Sequence, residues 1–269
     1  MQKLLYFSIV LLVSLSACQT VRIGGKKIKL SNHYTAKPSL QLLMPDGSGT
    51  NGTAVAYHTK AKQYWAVFAG NERFPLGIYN EKGELLNKDK NLNASFDVRG
   101  MWYNSFTKKV EGNAYFDTGV FSYNLDNQGF PNGITAIYEG QHQPDANSVG
   151  TYDSVHNELI YWNEGVVYRY NRETGAPNLN FKPDGFADSI AFNTSTVIYT
   201  YIPKQEIGLL DDEHREIYLF DRVTGKKTSI IRLPKDAPTQ SAFNISYANG
   251  RIWLFDIGSR TWKGYEIGK

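Results

Sequence analysis

Cysteine is almost absent from this sequence, and the single one, Cys18, lies close to the amino terminus. The chain after residue 18 therefore holds no disulfide and no thiol chemistry. The five histidines are scattered, and no two have the i, i+4 spacing of a helical metal site. Gly-x-Ser-x-Gly, Walker and Rossmann glycine patterns are also missing. The sequence thus lacks the familiar signatures of α/β-hydrolases and nucleotide-binding enzymes.

The sequence also has no strong excess of charge of one sign and few long apolar runs. The formal net charge is +3, from 29 basic and 26 acidic residues, and no long basic run argues for a nucleic-acid partner. The one marked apolar run, Leu4–Leu15, is shorter than the ~20 residues that span a bilayer. Its length, with Lys3 before it, is typical of a signal peptide.

The residues that follow, Leu15-Ser16-Ala17-Cys18, resemble the lipobox of bacterial lipoproteins. The resemblance implies cleavage before Cys18, diacylglycerol on its thiol and a fatty amide, such as palmitate, on the new amino terminus. Acyl chains of this kind anchor a protein to a membrane. In that family an Asp after the cysteine favours the inner membrane, so Gln19 favours the outer membrane over the inner (cell) membrane, with the protein facing the periplasm. An ordinary secretory signal with an incidental cysteine is the alternative.

The signal divides the chain into three parts. Residues 1–17 are predicted to be a lipoprotein signal peptide, and residues 18–36, which are polar and rich in Gly and Lys, a lipid-anchored tether with a possible closing strand. Residues 37–269 are long enough for one domain with a sizeable core.

The rest of the chain is predicted to be all-β. Apolar residues come in short alternating runs dominated by Tyr, Phe, Trp, Val and Ile, which strands favour, and Gly, Asn and Asp separate the runs. An aromatic residue followed by Asn or Asp recurs, and the acidic or amide side chain would open a turn by bonding its own backbone. The copies are Tyr79-Asn80, Tyr123-Asn124, Tyr170-Asn171, Phe220-Asp221 and Phe255-Asp256.

Each of the first four copies has two strand-like runs before it and one after it. Four short strands in a repeated unit of roughly 45 residues indicate a β-propeller. The last unit lacks a fourth strand, which KKIKLSN (26–32) could supply. We predict five four-stranded blades closed by an N-terminal strand, or six if residues 26–50 form more than that strand. A β-sandwich or another barrel is the competing fold.

Parts of the repeat resemble known propeller families. ELIYWNEGVVYRYNRETG (158–175) resembles a YWTD-type blade, and GFADSIAFN (185–193) with IYLFDRVTG (217–225) resembles gluconolactonase-type and NHL-type blades. In gluconolactonase-type enzymes a Glu, two Asn and an Asp hold a divalent metal at the axis. Here Asp188 matches one ligand position and Asn147 is a possible second, so neither a metal site nor a cofactor is predicted.

Four polar residues remain as candidates for ligand binding. Asp97 and Arg99 open the second unit, and a carboxylate and a guanidinium near an axis could hold a polar ligand together with Asn147 and Asp188. A salt bridge or a solvated loop is the alternative role. None of the four is predicted to be catalytic.

Two acidic stretches are assigned structural roles. Asp153 is predicted to cap the turn before the next strand. The cluster Asp211–His214 is predicted to lie in an exposed loop, because its spacing fits no metal motif.

These observations predict a lipid-anchored envelope protein with a non-catalytic propeller used for binding or scaffolding. Its expected partners are the membrane, through the anchor, and an envelope protein or a glycan. The alternative is a small-molecule hydrolase or lactonase with an axial metal or polar site.

Overall fold

The computed structural model describes residues 20–23, 25–45, 51–69, 75–90, 92, 94 and 96–268. Every regular element among them is a β-strand, which confirms the predicted all-β class. The described residues include no helix that is long and apolar enough to cross a membrane. The predicted signal peptide and Cys18 lie outside the described residues.

A β-hairpin comes first among the described residues, formed by β1 (Thr20–Ile23) and β2 (Lys26–Lys29). Gly25, in the turn between them, has a φ of 77°, which glycine adopts without strain and which tight hairpin turns require. Ile23 and Ile28 are buried in a hydrophobic cluster, and Val21 packs against it. Most of the segment predicted as a tether is therefore a docked hairpin. KKIKLSN (26–32) does not close the fold, because Lys26–Lys29 pairs with β1 instead.

Three antiparallel sheets are built from consecutive strands, and each sheet is one unit of the fold. Short turns join the strands of the second and third units. Isolated bridges at Leu85 and at Pro177 and Phe181 extend the outer edges of the first and third units. The first unit contains β4 (Asn51–His58), β5 (Gln63–Ala69) and β6 (Leu76–Tyr79); the second contains β7 (Val98–Asn104), β8 (Lys109–Ala114), β9 (Val120–Leu125) and β10 (Pro131–Tyr138); the third contains β11 (Thr151–Asp153), β12 (Glu158–Asn163) and β13 (Val166–Asn171).

The remaining strands form one eight-stranded sheet in the order β14-β15-β16-β17-β3-β20-β19-β18. Its first four strands are the fourth unit, and β18, β19, β20 and β3 are the fifth. The strands are β3 (His33–Leu43), β14 (Ile198–Tyr199), β15 (Ile207–Asp211), β16 (Glu216–Phe220), β17 (Lys227–Arg232), β18 (Ile245–Ala248), β19 (Arg251–Asp256) and β20 (Thr261–Gly268).

Strand β3 brings the amino-terminal part of the chain beside its carboxyl-terminal strand. It pairs antiparallel with β20, from Thr35 with Gly268 to Leu43 with Thr261, and parallel with β17. Tyr34, Ala36 and Leu42 are its buried residues. An N-terminal strand thus completes the last unit, as expected, but it is His33–Leu43 and not residues 26–32. The predicted domain boundary at residue 37 falls inside this strand.

The first strands of the five units meet around a common centre. Within the described part of the chain, β4 contacts β7, β7 contacts β11, β11 contacts β14, β14 contacts β18, and β18 contacts β4. We call these five the inner strands. Neighbouring inner strands run in the same direction, because Gly52 bonds to Asn244 near their starts while Val55 bonds to Ser246 further along. The sheets are therefore arranged around an axis in a propeller-like manner.

Aromatic side chains fill the spaces between the units. Between the fifth and first units, Phe255 contacts Phe68 with ring centroids 5.2 Å apart, and Trp262 packs against Phe255 at 5.3 Å; all three residues are buried. A Cβ atom on Gly52 would lie 2.5 Å from the Trp262 ring, so the absent side chain there makes room for it. The aromatic residues of the sequence are thus mainly packing residues, as strand propensity suggests.

The predicted turn residues are confirmed in the units where the repeat is regular. The Oδ1 atoms of Asn80, Asn171 and Asp221 accept hydrogen bonds from backbone amides two to four residues ahead. In the second unit the turn is opened by Asp126, whose Oδ1 accepts from Gln128 and Phe130, and not by Asn124. Asn124 lies inside β9 because that strand continues to Leu125.

Of the two structural roles predicted for the acidic stretches, one is confirmed and the other is partly wrong. Asp153 caps its turn as predicted, since its Oδ1 accepts from the amides of Val155 and His156. The expectation of an exposed loop over Asp211–His214 is wrong at its first residue. Asp211 is buried at the end of β15, and only a tight turn separates it from β16.

Candidate functional site: an axial cavity and a polar cluster

A cavity of about 240 Å³ lies where the five inner strands meet. It extends from the middle of these strands to the turns that follow them, where Thr59, Ser105, Ser154, Tyr201 and Gly250 line it. We call the face formed by these five turns and the β1–β2 hairpin the turn face. Ile23 of the hairpin also lines the cavity. The opposite end, where the chain enters the inner strands, we call the entry end.

Glycines allow the inner strands to approach each other closely at the entry end. A Cβ atom on Gly100 of β7 would lie 2.2 Å from the carbonyl oxygen of Gly150, which directly precedes β11. No side chain fits at this distance, because real Cβ contacts below 3.0 Å are essentially never seen. The inner strands β7 and β11 therefore lie in close contact near Gly100.

Two residues of the cavity wall carry buried hydroxyl groups that have almost no accessible surface. The Tyr247 hydroxyl and the Thr196 Oγ1 are buried and make no hydrogen bond to any described residue. Other polar groups of the wall are occupied: the Tyr201 hydroxyl donates to the carbonyl of Tyr152 at 2.7 Å, and Ser246 bonds to the backbone of Val55. Buried polar groups usually have partners. The two free hydroxyls are therefore the best candidates for ligand contacts.

The wall carries no full charge. Among the described residues that line this cavity there is no Asp, Glu, His, Lys or Arg. Burial raises the pKa of Tyr152 to about 12 and also raises the pKa of Tyr199, Tyr201 and Tyr247. These phenols therefore stay protonated and neutral at physiological pH. The cavity offers aromatic faces and hydroxyls, which suit an uncharged, ring-bearing ligand.

A second cavity, of about 430 Å³, adjoins the first on the turn face and shares Tyr57, Thr59 and Asn249 with it. This one is charged. The Tyr57 hydroxyl donates to Glu81 at 2.8 Å, and Arg251 donates to the Tyr64 hydroxyl at 2.7 Å. The hairpin turn at Gly25 forms part of its wall. The two cavities thus combine a neutral interior with a polar outer chamber.

Three of the four residues predicted for ligand binding meet at the entry end. The buried Arg99 side chain forms an ion pair with Asp97 and donates to Asn147 Oδ1 at 3.3 Å. Its guanidinium carbon also lies 4.9 Å from the centre of the Tyr115 ring and 5.2 Å from that of Phe243. Asp97 opposes the charge of Arg99, so the arrangement is a buried salt bridge held between aromatic rings.

Asp188, the fourth predicted residue, lies in an exposed turn. No contact between it and the other three is seen among the described residues. The described residues also contain no group of three or more His, Cys, Asp or Glu placed to hold a metal ion. Asn147 and Asp188 partly match the metal ligands of gluconolactonase-type enzymes, but among the described residues they do not belong to a cluster of such ligands.

Two buried arginines form ion pairs between units, and these pairs were not predicted. Arg172 of the third unit reaches Glu111 of the second, with Nε 2.9 Å from Oε2. Arg222 of the fourth unit lies 2.6 Å from Glu158 and 3.2 Å from Asp153 of the third. A signal was present in the sequence, since both arginines follow the repeated Asn or Asp, in NRETG and DRVTG. Their partners lie more than 50 residues away and could not be inferred from spacing.

Comparisons with known proteins define the fold only. No protein-family model matches the chain, and no curated protein matches it. Among solved structures, it is similar to the crystal structure of Myxococcus xanthus glutaminyl cyclase, with a TM-score of 0.56 and 10% sequence identity, over 88% of this chain and 97% of that one. At this identity the likeness supports a shared all-β, propeller-like fold and carries no information about activity.

Proposed function

We propose that this chain is a lipid-anchored envelope protein whose five-bladed propeller binds a small uncharged ligand in its axial cavity without chemical turnover. The observation that carries the binding role is the neutral, tyrosine-lined cavity with the free hydroxyls of Thr196 and Tyr247. A sugar ring, alone or within an envelope glycan, has the matching chemistry, because its hydroxyls can bond to the wall while its apolar face stacks on a tyrosine. Partner binding or scaffolding by the outer surface is compatible with this role.

The contacts among the inner strands support five blades over six. The contacts from β4 through β7, β11, β14 and β18 return to β4, which describes a closed ring of five. The six-blade alternative needs residues 26–50 to form more than one closing strand. The described residues of that range form β2, which belongs to the hairpin, and the single strand β3.

The lipid anchor rests on the sequence Leu15-Ser16-Ala17-Cys18. We expect protein purified from membranes of a bacterial host to begin at Cys18 and to carry a diacylglycerol and an amide-linked acyl chain. Intact-mass measurement of the wild type and of Cys18→Ala checks this, because the variant should lack the acyl mass. Because Gln19, and not Asp, follows Cys18, we expect the protein to be found in the outer-membrane fraction. An unacylated wild-type protein that starts elsewhere would contradict the anchor.

Removing a free hydroxyl from the cavity should weaken ligand binding. Screening the polypeptide 19–269 by thermal unfolding with neutral sugars should identify a ligand, since saturation at 100 times Kd stabilises by about 2.7 kcal/mol. We expect Thr196→Val and Tyr247→Phe each to raise the Kd roughly 2- to 12-fold, the equivalent of one hydrogen bond of about 0.5–1.5 kcal/mol. Isothermal titration calorimetry would measure the change.

Tyr123→Phe is the matched control for this prediction. The Tyr123 hydroxyl is also buried without a partner among the described residues, but it does not line the cavity. Its removal should leave the Kd unchanged. Equal effects of Tyr123→Phe and Tyr247→Phe, or a screen with no stabilising compound, would argue against the axial site.

The enzyme alternative has one observation in its favour, the meeting of Asp97, Arg99 and Asn147 at the entry end. Under this alternative, the cluster of Asp97, Arg99 and Asn147 would hydrolyse a lactone or a related small molecule. Turnover of a lactone that Asp97→Asn abolishes would favour this alternative, whereas our proposal expects no turnover above the uncatalysed rate.

A further inference from the structure

The β1–β2 hairpin has two chemically different faces. Val21, Ile23 and Ile28 face the protein, and the outward face carries Arg22, Lys27 and Lys29, which are exposed. Arg22 lies directly opposite Lys27 in the strand register. Like charges at such cross-strand positions repel each other. A nearby anionic surface would therefore stabilise the hairpin.

The turns around the hairpin extend this basic surface. The five turns of the turn face, residues 59–62, 105–108, 154–157, 200–206 and 249–250, contain one acidic residue, Glu206, whose carboxylate accepts hydrogen bonds from the amides of Lys204 and Arg222. They carry lysines that are exposed to solvent: Lys60, Lys62, Lys108 and Lys204. Phe106 and Val155 stand among them, and each is 73% exposed. Basic groups interspersed with exposed apolar tips are the composition of a membrane-contacting surface.

The turns at the entry end have the opposite character. They connect the second and third strands of the units, and their described residues include Asp117, Glu164, Asp212 and Glu213 together with the exposed Arg215 and the half-buried Arg260. These two sets of turns thus differ in charge, although the net charge of the whole chain is only +3. Such an asymmetry orients a protein in an electric field.

We propose that the turn face docks on the anionic phospholipid surface of the membrane that holds the lipid anchor. The proposal rests on the proposed acylation of Cys18. Cys18 is two residues before Thr20, so at ~3.3–3.6 Å per residue the anchor lies within about 7 Å of the start of β1. So short a connection keeps the turn face near the lipid headgroups. The basic hairpin and the lysine-bearing turns then contact the phosphates directly.

The test uses the unacylated polypeptide 19–269, which contains every described residue, so that binding reports the protein surface alone. We expect it to sediment with vesicles that contain phosphatidylglycerol and not with pure phosphatidylcholine. Each basic residue near an anionic surface contributes about a fivefold factor in binding. The variant Lys60→Glu/Lys62→Glu should therefore bind at least about 25-fold more weakly. Raising the salt to 1 M, where the screening length falls to ~3 Å, should release the wild type.

The control reverses two exposed basic residues at the other end, Arg215→Glu/Lys235→Glu. Lys235 lies near the turn of Arg215, because the amide of Leu233 donates to the Arg215 carbonyl at 2.9 Å. This variant should bind the vesicles within about twofold of wild type, as expected if only the turn face meets the membrane. Circular dichroism and the melting temperature confirm that both variants are folded.

Three results would overturn the proposal: equal losses in the two variants, no binding of the wild type to anionic vesicles, or binding to pure phosphatidylcholine that salt does not reverse. A glycan or protein partner for this face would give the second result. Acylation of Cys18 is measured separately by mass. An unacylated Cys18 would remove the anchor, whereas a failed vesicle test with acylated Cys18 would remove only the docking face.

Discussion

Replacing Arg172 by alanine is expected to lower the free energy of unfolding by about 3–5 kcal/mol, the usual cost of removing one partner from a buried ion pair. Glu111 has no solvent exposure, and Arg172 is its only cationic partner among the described residues. The remaining contacts to Glu111, from Trp102, Asn104 and Thr107, are neutral hydrogen bonds. The variant would leave a carboxylate inside the protein without a compensating charge. Urea-induced unfolding would measure the loss.

Arg232→Ala is the control for this prediction. Arg232 forms an ion pair of the same type with Glu216 at 3.2 Å, but its side chain is 66% exposed. Exposed pairs contribute about 0–1 kcal/mol, so this variant should be nearly as stable as wild type. Similar losses in both variants would show that burial does not decide the effect and that the Glu111–Arg172 pair does not hold the second and third units together.

Trp262→Ala should destabilise the protein by about 3–5 kcal/mol, because truncating a buried tryptophan leaves a large cavity. Trp262 is fully buried in β20, where it pairs with Leu42 of β3 on one side and Phe255 of β19 on the other. Its ring also covers Gly52 of the first unit. The substitution therefore removes packing at the junction of the first and last units. Chemical unfolding, monitored by circular dichroism, would detect it.

Trp262→Phe separates packing from hydrogen bonding at this site. The Trp262 Nε1 is buried and has no partner among the described residues, so replacing the indole removes an unsatisfied donor. The smaller ring still fills most of the space. We expect a loss below about 1.5 kcal/mol, within the range of conservative core substitutions. A tryptophan-to-alanine loss that is no greater would contradict the assigned role of Trp262 at the junction.

Local chemistry made much of the fold predictable from the sequence. Strand periodicity and turn residues act over a few positions, so the all-β class and the caps at Asn80, Asn171 and Asp221 could be inferred. The same logic failed where two local signals competed. Asn124 and Asp126 can both open a turn, and the continuation of β9 selected Asp126. Gly25, with its positive φ, allows the tight turn that pairs Lys26–Lys29 with β1, and the longer β3 takes the closing position.

The candidate site was less predictable because its contacts join distant segments. Asp97 and Arg99 were chosen for their charge at the start of a unit, and the structure brings them to Asn147, about 50 residues later. The cavity wall of Thr196 and Tyr247 carried no sequence signal, because hydroxyl-bearing residues are frequent on strands. Only the arrangement of the units around the axis shows which hydroxyls lack partners. Asp188, chosen by resemblance to a metal-binding family, lies apart from this cluster.

The pairing of β3 with β20 also determines when the protein can complete its folding. Thr35 leaves a ribosome or a secretion channel well before its partner Gly268. Until β20 arrives, β3 presents unpaired backbone groups on one edge, the kind of edge that promotes aggregation. A chain with such a long-range pairing completes its fold late and slowly. An acyl group attached to Cys18 early in export would hold the unpaired β3 at the membrane surface until β20 has been exported.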